Sequence, residues 1–280
     1  MEYIVLNNGL KMPKLGLGVY QITDEFECRN TVESALDIGY RLIDTAQAYH
    51  NEKFVGDAIK QSNIPREELF ITTKLWLADT GYKSTIKAFE NSLKKLGLDY
   101  LDLYLIHQPI GDYYGSWKAM EELYEQGLIK AIGVANFMPD RLMDLICNNK
   151  ILPAIDQVEV NPFCQRQIDE IMMKEKNVQM QSWGPFAEGR NNIFQNEVLQ
   201  KIADKYQKSI AQIILRWLLQ RNIVCIPKSV RIERLKENFN VFDFKLSNED
   251  MNLISTLDTK KSCFFSYYDP KIIEWLCSMK

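Results

Sequence analysis

The stretch RLIDTAQAYHNEKFVGDAIKQSNIPREELFITTK (41–74) contains one complete copy of the unit from which the chain is built. Its ends, RLID (41–44) and ELFITTK (68–74), are short apolar runs typical of strands buried on both faces, and EKFVGDAIKQ between them has helical spacing. The alternation continues in both directions. DLYLIH (102–107), IKAIGVAN (129–136), AIDQVEV (154–160), VQMQSW (178–183) and NIVCIPKS (222–229) follow, and LGLGV (15–19) precedes, which makes eight strand units. Amphipathic stretches separate them. DEFECRNTVESALDIG (24–39) has Asp24 as N-cap and Gly39 as stop, and STIKAFENSLKKLG (84–97) sets Ile86, Phe89, Leu93 and Leu96 at helical intervals. Eight successive βα units in 280 residues predict an α/β fold, a (β/α)8 TIM barrel, as a single domain over 1–280. YIVLNNGLKMPKLGLG, ahead of the repeats, reads as a β-hairpin around Asn8-Gly9 that serves as a lid or a floor. An open dinucleotide-binding sheet is the poorer reading, because LGLGVYQ offers Gly16 and Gly18 without a third glycine.

Composition narrows the functions. With 34 Lys and Arg against 37 Asp and Glu the formal charge is −3, so no global positive field invites nucleic acid or an anionic membrane. A chain of this mass should present roughly 12,000 Å² of surface when folded. Six cysteines without a CxxC, an opening MEYIVLNNG without a basic region and long apolar run, and no apolar stretch near the about 20 residues needed to cross a bilayer predict a cytoplasmic location. Only His50 and His107 are histidines, which excludes a three-histidine zinc site.

The functional face of such a barrel lies at the C-terminal ends of its strands. Asp44 ends RLID, Tyr49 lies five residues further on, Lys74 ends FITTK, and His107 ends LYLIH. A buried Asp44–Lys74 ion pair is one reading of the first and third. The other gives them work: Lys74 beside Tyr49 lowers the phenol's pKa, Asp44 keeps the lysine charged, and Tyr49 donates a proton to a carbonyl oxygen that His107 orients. No G-x-S-x-G elbow competes for acyl transfer. In PKSVRIERLKEN (227–238), after the last strand, a helix N-terminus with Lys228, Ser229, Arg231 and Arg234 reads either as a phosphate site or as a solvated basic face.

RLIDTAQAYHNEKFVGDAI (41–59), ITTKLW (71–76), LYLIHQP (103–109), IGVANF (132–137), QVEVNPF (157–163), SWGPFAEG (182–189) and IPKSVRIERLKENFNVFDF (226–244) together resemble the successive signatures of the aldo-keto reductase family, in its short-looped microbial branch typified by 2,5-diketo-gluconate reductases. The resemblance spans nearly the whole chain. It implies an NADPH-dependent reductase of aldehydes or ketones with Tyr49 as proton donor, Asp44 and Lys74 tuning it, and His107 placing the carbonyl. It also implies that Asn136 and Gln157 hold the nicotinamide carboxamide while Trp183 stacks on the ring. Lys228, Ser229 and Arg234 fall around the adenosine 2′-phosphate, with Val230 a further cofactor contact, and Glu237 and Asn238 fall around the adenine.

Three departures bear on the pocket. Ala135 stands where the family commonly has serine, Gln108 where it has tryptophan after the histidine, and Tyr20 where many relatives have tryptophan. The last two exchange ring area for hydrogen-bonding capacity and suit a small polar carbonyl substrate. Aromatic residues crowd KKSCFFSYYDPKIIEWLCSMK (260–280), where Phe264, Phe265, Tyr267 and Tyr268 either cover a pocket or pack on the outer helices. No seam for a partner subunit stands out, and a monomer is expected.

Overall fold

The computed structural model describes residues 1–279. Its strands are β1 (Tyr3–Val5), β2 (Lys11–Pro13), β3 (Leu17–Gly18), β4 (Leu42–Asp44), β5 (Phe70–Leu75), β6 (Leu103–Ile106), β7 (Ile132–Ala135), β8 (Ile155–Glu159), β9 (Gln179–Trp183) and β10 (Val224–Cys225). From β3 to β10 each strand pairs in parallel with the next in sequence. The two ends of this sheet meet. Gly16 N–H donates to Cys225 O at 2.9 Å, Cys225 N–H to Lys14 O at 2.9 Å and Gly18 N–H to Pro227 O at 3.2 Å. Closure leaves the eight-stranded sheet without an edge strand. The run read at 222–229 contributes only Val224–Cys225 as regular strand, since Pro227 has no N–H to continue the ladder.

The helices that cover the barrel follow in order: α1 (Glu25–Ile38), α2 (Glu52–Gln61), α3 (Tyr82–Leu96), α4 (Tyr113–Glu125), α5 (Pro139–Asn148), α6 (Gln167–Glu175), α7 (Glu197–Tyr206), α8 (Ile210–Gln220), α9 (Ile232–Phe239), α10 (Asn248–Ser255) and α11 (Pro270–Cys277). Local chemistry sets their limits. Asp24 accepts from Glu27 N–H at the start of α1, and Gly39, at φ 118°, closes its end. Cys28, Val32, Ala35 and Leu36 form the stripe of α1 that faces the sheet. Between α2 and α3 the backbones nearly touch, and a Cβ on Gly56 would lie 2.2 Å from Leu96 O.

The hairpin β1–β2 is the floor. Asn7 Nδ2 donates to Pro153 O at 2.9 Å and Asn8 Nδ2 to Lys130 O at 2.8 Å, both just ahead of barrel strands. Its Leu6 and Met12 pack with Leu42, Phe70, Leu103, Leu105, Ile155 and Val224 inside the barrel. The polar strand residues Asp44, Lys74, Gln157 and Glu159 lie at the opposite mouth. The surface of 12871 Å² matches the expectation for one barrel of this size.

Candidate active site

The strand ends bring the residues singled out from sequence into one network. Lys74, fully buried at the end of β5, uses all three of its ammonium donors: to Asp44 Oδ1 at 2.5 Å, Thr45 O at 2.9 Å and Tyr49 Oη at 3.3 Å. Asp44 is the last residue of β4, and a single 3-10 turn, Gln47–Tyr49, carries the phenol back over the lysine. Gln47 anchors that turn by accepting from Trp76 N–H at 3.0 Å and donating to Asp79. The ring of His107 stands 5.6 Å from that of Tyr49 and 5.3 Å from that of Trp76, edge-on to both.

Electrostatics assigns the protons. Burial pushes the Asp44 carboxyl upward against the pull of Lys74 and of Gln157. For Lys74 burial acts downward, but the attraction of Asp44 and Tyr49 prevails and holds the ammonium above its usual range. The expected lowering of the Tyr49 pKa is not what the structure shows. Burial raises it, Asp44 adds to the rise, and Lys74 only partly offsets them, so the phenol keeps its proton at neutral pH. His107 is held well below the usual imidazole value, by burial first and the positive charge of Lys74 second, and is neutral. Its Nδ1 is buried with no hydrogen-bond partner among the described residues.

A ring of amides adjoins this centre. Gln157 Nε2 donates to Asp44 Oδ2 at 2.8 Å and to Gln181 Oε1 at 3.2 Å. Asn136, whose φ of 64° follows the end of β7, donates to His107 O at 3.1 Å and accepts from Trp183 Nε1 at 2.8 Å. The structure thus brings Asp44, Tyr49, Lys74, His107, Asn136, Gln157 and Trp183 together at one mouth.

The segment 227–238 runs from the end of the last strand into α9. Pro227 O, bonded to Gly18 N–H, ties its start to β3, and Ser229 Oγ accepts from Arg231 N–H at 3.2 Å just before α9. Lys228 and Arg234 are exposed and make no ion pair among the described residues, and Val230 packs on the core. Asn238 is buried, while Glu237 accepts a hydrogen bond from Ser209.

The C-terminal segment covers the mouth, which is the first of the two readings of its aromatic run. Glu159, buried at the end of β8, accepts from Ser262 Oγ at 2.5 Å and from Cys263 N–H at 2.8 Å. Phe264 then lies 5.0 Å from the Trp183 ring, Tyr267 Oη donates to Gln108 Oε1 at 2.7 Å, and Leu276 of α11 packs with Leu77 and Ile110. Sequence reasoning missed Gln47, Trp76, Gln181 and Glu159, whose roles depend on contacts between distant segments. Only the aromatic run gave a sign of this cover.

Residues 14–259 match the aldo/keto reductase family. The chain is 47% identical over 258 residues to a glyoxal reductase of Bacillus subtilis (strain 168), covering 92% of this chain and 93% of that one. It is 46% identical over 261 residues to a methylglyoxal reductase of Escherichia coli (strain K12), covering 92% and 94%. Among solved structures, an aldo-keto reductase of Bombyx mori in complex with NADP superposes with a TM-score of 0.90 at 34% identity, over 96% of each chain. With eight parallel strands, a closed floor and this match over most of its length, the chain belongs to the aldo/keto reductase family.

Proposed function

We propose that the protein reduces small aldehydes and ketones, α-dicarbonyls such as glyoxal and methylglyoxal among them, with NADPH as the reductant. The observation that carries this reading is the state of Tyr49. Its oxygen accepts from Lys74, and its own O–H has no acceptor among the described residues, so a protonated phenol faces the mouth with its hydrogen uncommitted. The name of the Bombyx mori structure and the reductases of B. subtilis and E. coli support the choice of cofactor and substrate.

The residues present fit the cofactor. Gln157 keeps its carbonyl oxygen free of partners among the described residues, and Asn136 Oδ1 keeps a lone pair, which together suit the amino group of a carboxamide. Trp183, fixed at its indole N–H by Asn136 and with the Phe264 ring tilted against it, offers a flat apolar ring. Lys228 and Arg234, exposed and without an ion pair among the described residues, suit a phosphate together with Ser229, and Val230, Glu237 and Asn238 of the same segment complete the set. Bound NADPH supplies the hydride. Neutral His107 hydrogen-bonds the carbonyl oxygen, Tyr49 gives that oxygen its proton as negative charge develops, and Lys74 stabilises the phenolate left behind, itself held by Asp44. Phe264 and Tyr267 keep water away from the reacting carbon. The same reading takes the protein to be a single-domain, cytoplasmic monomer acting on free small carbonyls, independent of nucleic acid, membrane and metal.

The test is a cofactor comparison. Purified protein given methylglyoxal should consume NADPH with matching formation of the hydroxy product, and Arg234→Ala should raise KM for NADPH by about tenfold or more while changing KM for NADH little. Failure to turn over any small aldehyde with either nucleotide defeats the function. Equal effects of Arg234→Ala on both nucleotides defeat the phosphate assignment.

A further inference from the structure

Glu237 is held by a serine from another helix. Ser209 caps α8: its Oγ accepts from Gln212 N–H at 3.2 Å, and Gln212 Oε1 accepts from Ser209 N–H at 3.0 Å. That reciprocal cap uses a lone pair of the hydroxyl and leaves its proton free. The proton goes to Glu237 Oε1. Gln212 Nε2 meanwhile donates to Glu237 O at 3.1 Å and Asn240 O at 2.9 Å, gripping the last turn of α9. From the other side, Tyr40 Oη donates to Leu235 O at 3.0 Å and the Tyr40 ring packs 5.0 Å from Phe239. Glu237 is half-buried, and its second oxygen, Oε2, has no partner among the described residues. A glutamate on a helix surface normally averages over several rotamers. Here one oxygen is pinned, so the other is presented in a fixed place.

We propose that Ser209 is a positioning residue for the purine end of the cofactor, acting through Glu237. Its proton fixes Oε1, and Oε2 is thereby aimed to accept a hydrogen from the exocyclic amine of adenine. The inference rests on the reading of Glu237 as an adenine contact. It selects 6-aminopurines specifically, because a 6-oxopurine sets a carbonyl oxygen against the carboxylate.

The experiment measures binding, not turnover, by quenching of intrinsic tryptophan fluorescence with NADPH and with its reduced hypoxanthine analogue. The parent protein should prefer NADPH by about tenfold. Ser209→Gly removes the donor at little cost to the cap, and should weaken NADPH about fivefold while leaving the analogue unchanged. Ser209→Thr, which retains donor and cap, should keep the parent preference, and thermal unfolding verifies that both variants are folded. A Ser209→Gly protein that keeps the preference, or that loses affinity for both nucleotides alike, overturns the positioning role. Glu237→Ala separates the two claims. If it abolishes the preference while Ser209→Gly does not, only the role of Ser209 falls; if it leaves the preference intact, the adenine contact falls as well.

Discussion

The chemistry proposed for Tyr49 and His107 depends on burial beside Lys74. Burial keeps the phenol protonated and the imidazole neutral, which are the states needed for a proton donor and a neutral hydrogen-bond donor in carbonyl reduction. Because Tyr49 and Lys74 titrate above their usual ranges and His107 well below its own, kcat/KM for reduction should be level from about pH 6.5 to about pH 9. A step near pH 6.5 in a stopped-flow profile would contradict the neutral His107. Asp156 shows burial acting on a carboxyl outside this centre. It is fully buried on β8 with neither oxygen paired to a side chain among the described residues, and burial raises its pKa well above the usual value against weaker pulls from Phe137 N–H and Arg166. A raised folded pKa means the protonated form suits the fold, so stability is fully present below the unfolded value of about 4 and is lost as pH climbs toward the folded pKa. Asp156→Asn should therefore stabilise the protein at neutral pH by about 2 kcal/mol and flatten the decline above about pH 4, as read from urea midpoints across pH. The polar strand ends were legible in sequence because a barrel exposes them at one mouth. The direction of the Tyr49 shift was not, since it depends on how desolvation balances two opposite neighbouring charges.

The elements divide by how local their causes are. Asp24, Gly39 and the apolar spacing of α1 and α3 specify those helices locally, without reference to tertiary contacts, and the expected hairpin formed, its turn centred on Asn7-Asn8 and closed by Gly9 N–H to Leu6 O with Gly9 at φ 85°. The short β10 and the position of the C-terminal segment depend on what they meet. Sequence spacing cannot show that Glu159 receives Ser262 and Cys263, residues about a hundred positions later. The close contact of α2 with α3 is another such case. At Gly56 any side chain would displace the Leu96 carbonyl, so Gly56→Ala should lower stability by about 1–3 kcal/mol through forced separation of the two helices. Chemical denaturation should show the lower midpoint, and an unchanged midpoint would mean that the helices part freely.

At the scale of the whole molecule the barrel separates stability from chemistry. The hairpin floor, Leu6 and Met12, and the inner apolar layer occupy one end, while charged and amide groups gather at the other under Phe264 and Tyr267. The net charge of −3 coexists with the exposed cations Lys228 and Arg234 around the start of α9, which the proposed function assigns to a phosphorylated cofactor. The central claim is that Tyr49 delivers the proton, and the most direct measurement is single-turnover oxidation of bound NADPH by methylglyoxal in the parent and in Tyr49→Phe. The account predicts unchanged NADPH affinity and a hydride-transfer rate lower by about 10²–10⁴-fold in the variant. Equal rates in the two proteins would contradict it.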